Sequence, residues 1–307
     1  MSASGGRLAD PGECEVLIAR VIADQTALSA QLDGVIRAVE ASGAKVLGAD
    51  PLAGDAGVLQ LMVNDGEAAA LRGVIDRLLV PSDLLITDHL PQVPRVFVSD
   101  MDSTMIGQEC IDELADFAGI KDQIAAITER AMQGELDFAA ALTERVRLLG
   151  GLDEAAIQQC LDERIRDMPG AAILVATLKA HGCETVLVTG GFHQFADPVA
   201  ARLGFERVVG NRLGVLHGKL TGGLLGPIVD SAVKERVLRE CAAAAGDAHS
   251  LATGDGANDI PMLQVAHYGV AYHAKPKARA AANGAVDFGD LTAVLRLLGL
   301  AEGEWVK

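Results

Sequence analysis

Hydrophobic residues in the N-terminal part of the chain switch between two periods, and the switches mark the elements. The run "CEVLIARVI" (14–22) is short, apolar and rich in β-branched residues, which predicts a strand. From Asp24 to Ser42 the apolar positions Leu28, Leu32, Ile36 and Val39 recur at helical spacing, so this stretch predicts an amphipathic helix with those residues on one face. "AKVLGADPL" and "GVLQLMV" predict two strands around a turn at Ala53–Ala56, followed by a helix over Glu67–Leu79 and a strand, "DLLITD" (83–88). The order β-α-β-β-α-β is that of a split βαβ, ferredoxin-like α+β domain, which we assign to residues 1–90.

"PQVPR" (91–95) carries two prolines and reads as a linker, after which the pattern changes. Short apolar runs, "VFVS" (96–99), "TVLVT" (185–189), "RVVGN" (207–211) and "SLAT" (250–253), now alternate with helical stretches. Continuous rather than alternating apolar character implies strands covered on both faces, so residues 96–300 predict an α/β fold with a doubly wound parallel sheet. The helical region from about 112 to 167 is too long for one crossover helix, and predicts a separate helical cap over the sheet.

Composition narrows the partners. With 307 residues and 50% hydrophobic content the chain fills two domains of ordinary size. A net charge of −16 disfavours nucleic acid and anionic membrane surfaces, so an anionic substrate needs a local basic pocket. The five cysteines are scattered, with no C-x-x-C pair, which suggests neither a disulfide framework nor a structural zinc site. Together with the lack of a leader-like start or a bilayer-length apolar run, this gives a cytoplasmic expectation. The number of subunits is left open, a homodimer being the candidate assembly.

Ligands of open parallel sheets bind beyond the carboxyl ends of the strands, and three of those ends carry the residue types of phosphate chemistry. After "VFVS" comes Asp100-Met101-Asp102-Ser103-Thr104. One carboxylate can attack phosphorus, while the other protonates a departing alkoxide and later deprotonates water, and two adjacent carboxylates also invite a divalent cation. Alone, such a pair also fits a strand end or a helix cap. "VTGGFHQF" (188–195) offers the Thr189 hydroxyl and the backbone N–H groups of Gly190 and Gly191 as an anion cradle, or a plain turn; His193 reads as a helix-start residue. "TGDGANDIPML" (253–263) presents Asp255, Asn258 and Asp259 before a helix-starting Pro261, a set of hard oxygen donors suited to Mg²⁺. Lys234 lies between the last two motifs, where a cation would offset charge on a phosphoryl group.

D-M-D-S-T, T-G-G, Lys and G-D-G-x-N-D, in that order after apolar strands, resemble the phosphatase branch of the haloacid dehalogenase superfamily. "DMDSTMIGQECIDELA", "GFHQFADPVAARLGF", "NRLGVLHGKLTG" and "GDGANDIPML" extend the likeness over about 95–298 to the phosphoserine phosphatase family, whose bacterial members often carry an ACT-like N-terminal domain. The resemblance implies an HAD-like fold and Mg²⁺-dependent hydrolysis of O-phospho-L-serine through an aspartyl-phosphate, the last step of serine biosynthesis. By the same resemblance Asp100 is the nucleophile and a metal ligand, and Asp102 is the general acid/base, giving the metal its backbone carbonyl. Asp255 completes the metal ligands, and Asp259 holds a coordinated water. Thr189, where many members carry Ser, binds the phosphoryl group with Gly190 and Lys234, and Asn258 contacts substrate beside the metal. Glu109 meets the substrate ammonium and Arg145 its carboxylate, with Phe138 and Met132 on the cap side.

Two rivals remain at this level. One is a phosphotransferase to a small alcohol such as homoserine. The other is a non-catalytic amino-acid sensor working through the N-terminal module, which itself also reads as a plain packing or dimerisation domain.

Overall fold

The computed structural model describes residues 16–132 and 135–307, which divide into two compact units between Pro91 and Gln92. The first contains β1 (Val16–Ala23), α1 (Gln25–Ala41), β2 (Lys45–Leu52), β3 (Asp55–Asn64), α2 (Ala68–Leu78) and β4 (Ser82–Thr87). The predicted first strand began at Cys14, so its first two positions lie outside the described residues. The strands run in the order β2-β3-β1-β4, and the pairs β2–β3, β3–β1 and β1–β4 are all antiparallel, as a split βαβ requires.

Local chemistry sets the boundaries. Asp24 caps α1, its carboxylate accepting from the N–H groups of Thr26 (2.9 Å) and Ala27 (3.1 Å). The β2–β3 hairpin closes at Leu52 and Asp55, tighter than predicted, because Gly54 takes the left-handed conformation (φ 88°) that a two-residue turn demands. On α1 the buried stripe is Leu28, Val35 and Val39 with Leu32 partly buried against it, while Ile36 lies at its edge. Val35 continues the i, i+7, i+11 track from Leu28 more closely than Ile36 does.

The second unit begins with β5 (Val96–Ser99), followed by the helices α3 (Cys110–Phe117), α4 (Lys121–Met132), α5 (Phe138–Leu148), α6 (Ala155–Glu163) and α7 (Ala171–Ala180). Then come β6 (Glu184–Phe192), α8 (His193–Leu203), β7 (Arg207–Asn211), the hairpin strands β8 (Leu213–Leu216) and β9 (Lys219–Leu224), and α9 (Ser231–Ala244). The chain ends with β10 (Ser250–Gly254), α10 (Ile260–Val265), β11 (Tyr268–Tyr272), α11 (Pro276–Ala281), β12 (Gly284–Val286) and α12 (Thr292–Leu298). Strand order is β12-β11-β10-β5-β6-β7, every pair parallel. All four residues of β5 and all five of β10 are buried, which is why these strands read as unbroken apolar runs.

The predicted 112–167 region is four helices, α3 to α6; two of the three breaks, before α4 and before α6, fall where Gly119 (φ 69°) and Gly151 (φ 87°) take left-handed turns. Arg95 already belongs to the second sheet, its N–H bonded to the His249 carbonyl and its carbonyl to the Glu184 N–H (both 2.9 Å). No helix among the described residues is long and apolar enough to cross a membrane.

Candidate active site

Three neighbouring parallel strands, β10, β5 and β6, run side by side; β5 and β10 end just before Asp100 and Asp255, whereas Thr189 sits inside β6, where its register with β7 breaks after Val188. Asp100 follows β5 with its N–H on the Thr253 carbonyl (3.0 Å), so the sheet ladder itself sets where its carboxylate begins. Below it, the Thr253 hydroxyl bonds the Ser99 hydroxyl (2.8 Å), which in turn bonds the Asp100 carbonyl (2.7 Å). Oδ1 of Asp100 accepts from the Met101 N–H (2.7 Å) and from Lys234 Nζ (2.8 Å). Lys234, only 1% exposed, also donates to Oδ1 of Asp259 (2.7 Å).

Asp259 is wholly buried, and its Oδ2 accepts from the N–H groups of Gly256 (3.0 Å) and Asp255 (3.2 Å). A side chain at Gly254 would be impossible here, since its Cβ would lie 2.4 Å from the Asp259 carboxyl carbon. Carboxylate oxygens of Asp100, Asp255 and Asp259 lie within 4.8 Å of one another. The carboxylate of Asp102 is outside this trio, with Oδ1 facing the Cys110 N–H at the start of α3 (3.4 Å).

On the β6 side the Thr189 hydroxyl accepts from the Gly191 N–H (2.8 Å), curling the loop. A Cβ on Gly191 would stand 3.0 Å from Oδ2 of Asp102, so glycine allows the two motifs to close on each other. One residue that sequence reasoning left without a role secures this loop. Asn211, at the end of β7 and 2% exposed, donates to the Gly190 carbonyl (2.8 Å) and accepts from the Val229 N–H (2.9 Å). Its signal was a polar residue ending a predicted strand, the same signal that Asp100, Thr189 and Asp255 gave.

These groups floor a cavity of about 190 Å³, whose lining includes Asp100, Asp102, Thr189, Gly190, Gly191, Asp255 and Asn258. The rest of its lining comes from the helices: Ile111, Phe138, Leu142 and Arg145, with Glu109 at the cap of α3. All the residues predicted from the motifs therefore converge, with Lys234 and Asp259 one layer behind the cavity surface. The Met132 side chain lies outside the described residues. Lys275 was not anticipated; it stands at the rim, with Nζ 3.6 Å from Oδ2 of Asp255. His193 opens α8 and pairs with Asp197 (2.7 Å).

Electrostatics follow from crowding five carboxylates into this space. Burial, reinforced by Asp259, holds the Asp100 carboxyl well above its ordinary value, and Lys234 opposes that rise. Burial and the Glu109 carboxylate push Asp102 up to about 7, against the hydrogen bonds from Cys110. Asp255 is raised mainly by burial, with Lys275 opposing. Lys234 stays charged: burial works against it, but Asp100 and Asp259 outweigh that and hold its pKa above normal. Glu109 is raised by desolvation at the cavity wall, while its bond from the Ser103 hydroxyl (2.9 Å) favours the carboxylate. Burial lowers Arg145, and the charges of Asp112, Glu109 and Asp102 pull the other way.

Residues 97–264 match the family model of haloacid dehalogenase-like hydrolases, and residues 234–298 match a second model of the same description. A phosphoserine phosphatase of Albidiferax ferrireducens is 45% identical over 210 residues, covering 66% of this chain and 89% of that protein. This chain belongs to the phosphoserine phosphatase family of the haloacid dehalogenase-like hydrolases. A second phosphoserine phosphatase, from Haemophilus influenzae, is 43% identical over 223 residues, 71% of each chain. Among solved structures, a probable phosphoserine phosphatase from Vibrio cholerae in unliganded form superposes with a TM-score of 0.71 at 31% identity, covering 94% of this chain and 88% of that one. The family model spans β5 to α10 and so takes in every strand end that meets the cavity.

Proposed function

We propose that this phosphatase hydrolyses O-phospho-L-serine to L-serine and phosphate, the last step of serine biosynthesis. The observation that carries the reading is one cavity lined by two chemically distinct sets of groups, a phosphate cradle from the strands and an acid–base pair, Glu109 and Arg145, from the helices. Phosphoserine has the matching groups: a phosphate at one end, an ammonium for Glu109 and a carboxylate for Arg145.

Both described bonds to the Asp100 carboxylate fall on Oδ1, which leaves Oδ2 to attack phosphorus and form an aspartyl-phosphate. Lys234, the Thr189 hydroxyl and the N–H group of Gly190 hold the phosphoryl oxygens, while the Gly191 N–H keeps the Thr189 hydroxyl in place. Asp102, with a pKa near 7, carries the proton that the seryl oxygen takes as it leaves. It then accepts a proton from the water that hydrolyses the intermediate. The hard oxygen donors of Asp100, Asp255 and Asp259 fit a divalent cation, and burial raises the first two because desolvation disfavours their charge, which a bound cation would offset. Mg²⁺ would be held by Asp100, Asp255 and the main-chain carbonyl of Asp102. Asp259, whose oxygens are taken by Lys234 and two N–H groups, would act through a water. When bound, the ion offsets negative charge on these carboxylates and on the transferring phosphoryl group.

The test is phosphate release from L-phosphoserine, phosphothreonine and p-nitrophenyl phosphate, each with Mg²⁺ and with EDTA. Mg²⁺-dependent preference for phosphoserine is the expected result. Equal turnover of all three would remove the amino-acid end from the reading, and phosphoryl transfer to added homoserine in place of release would replace hydrolysis with transfer.

The same reading takes residues 1–90 as an ACT-like domain and 96–300 as the phosphatase domain with its cap, the 91–95 linker being shortened by Arg95, which is bonded into the second sheet. The β2-β3-β1-β4 order supports the first of these assignments, and serine binding by equilibrium dialysis probes it. The buried free thiols of Cys110, Cys160, Cys183 and Cys241 accord with a reducing cytoplasm. A homodimer is tested by light scattering of the full chain.

A further inference from the structure

The β8–β9 hairpin belongs to neither the parallel sheet nor the helical wall, yet it is tied to both. At its base, Asn211 bonds Gly190 of the phosphate loop and the Val229 N–H beyond the hairpin, and the Leu225 N–H closes on the Arg212 carbonyl (2.8 Å). Towards its tip it pairs with the loop joining α5 to α6. The Gly151 N–H bonds the Leu220 carbonyl, the Leu220 N–H bonds the Leu152 carbonyl, and the Glu154 N–H bonds the Gly218 carbonyl, each at 2.8 Å. Asp153 and Lys219 form an antiparallel bridge.

Packing is close where β9 meets the end of α5. A Cβ on Gly222 (φ 77°) would lie 3.0 Å from the Arg147 carbonyl oxygen and 3.2 Å from the Gly150 Cα. A Cβ on Gly150 would lie 3.2 Å from the same carbonyl. Arg147 sits in the last turn of the helix that also carries Phe138, Leu142 and Arg145 into the cavity. The route from Gly190 through Asn211 and the hairpin to Arg145 is thus made of hydrogen-bonded backbone and glycine contacts.

We infer that this hairpin is a clasp that holds α5 at a fixed reach from the phosphate loop, which makes Gly150 and Gly222 positioning residues for Arg145. Hairpin and α5–α6 loop then form one body, anchored at its base to the phosphate loop. The inference rests on the proposed pairing of Arg145 with the substrate carboxylate.

Gly222→Ala pushes α5 outward and strains its own backbone, whereas Gly150→Ala crowds the Arg147 carbonyl at the end of α5 and meets Gly222 only at contact distance (3.4 Å). Each should raise KM for phosphoserine, by roughly tenfold at Gly222 and less at Gly150, with kcat on p-nitrophenyl phosphate within about twofold of the parent. Unchanged KM in both variants would overturn the clasp. Arg145→Ala, measured alongside, separates the two ideas. If it leaves KM for phosphoserine unaltered, the carboxylate assignment fails; if it raises KM while the glycine variants do not, the clasp fails. A disulfide between Asp153→Cys and Lys219→Cys tests the single body even where a glycine variant does not fold. The oxidised double variant should turn over phosphoserine as fast as its reduced form, and loss of turnover on oxidation, restored by a reductant, would overturn the inference.

Discussion

Asp100, Thr189 and Asp255 lie on or just beyond neighbouring strands with 4%, 1% and 8% exposure, each held by main-chain or buried side-chain bonds. Arg145, by contrast, is half-buried on a helix, with a 3.3 Å bond to the Ala141 carbonyl one turn back, and Glu109, at the cap of α3, is exposed as a residue although the cavity desolvates its carboxyl. The groups for the two ends of the substrate are therefore built to different tolerances. A sheet ladder fixes a carboxylate to within tenths of an ångström, which bond-making at phosphorus requires. A helical wall held through a hairpin is set less tightly than that, which suits groups that select a substrate and let its product go.

Four experiments sharpen or break this contrast. Asp100→Asn should cut turnover of every phosphomonoester by about 10⁴-fold or more, because no other group can take the nucleophile's place. Lys234→Met should abolish most activity and also lower stability by about 3–5 kcal/mol in urea unfolding, since it strands Asp100 and Asp259 as buried, unpaired carboxylates. Retained stability would mean that the phosphate end is less tightly coupled than its bonds indicate.

The third test concerns pH and the cation. Burial holds Asp100, Asp102 and Asp255 above their ordinary carboxyl values, Asp102 reaching about 7. Between about pH 4 and about pH 7 the folded protein therefore binds more protons than the unfolded chain, so its stability falls as pH rises. EDTA-treated protein should melt lower at about pH 7.5 than at about pH 5, and Mg²⁺ should remove most of that difference. The smallest expected effects are at the other end: Glu109→Gln and Arg145→Ala should raise KM for phosphoserine roughly 10- to 100-fold, with turnover of p-nitrophenyl phosphate almost unaltered. A large loss on p-nitrophenyl phosphate would erase the distinction between the ends.

The same contrast governs what could be read from the chain. Strand ends were legible because a buried parallel strand writes an unbroken apolar run and its terminal polar residue stands out, as with Asp100 after "VFVS". Strands β11 and β12 went unread: "YGVAY" is five residues and "GAV" three, too short for any period to show. The β8–β9 hairpin was hidden by its glycines, which weaken a strand pattern although two of its contacts need them. The helical wall was visible as helix, but two of its breaks depended on Gly119 and Gly151 adopting left-handed turns. Lys275 carried no signal at all, being one of 26 basic residues whose place depends on the loop after β11.

Asn211 gives the molecule a form of modularity. By bonding Gly190 with one amide atom and the Val229 N–H with the other, it pinches off residues 212–228 as an excursion whose ends are already closed. Chain length inside a closed excursion changes loop entropy only slowly. Insertions or deletions there can alter how the hairpin grips the helical wall while leaving the phosphate cradle untouched, so descendants of such a chain are free to acquire new substrates without relearning how to cleave a phosphate ester.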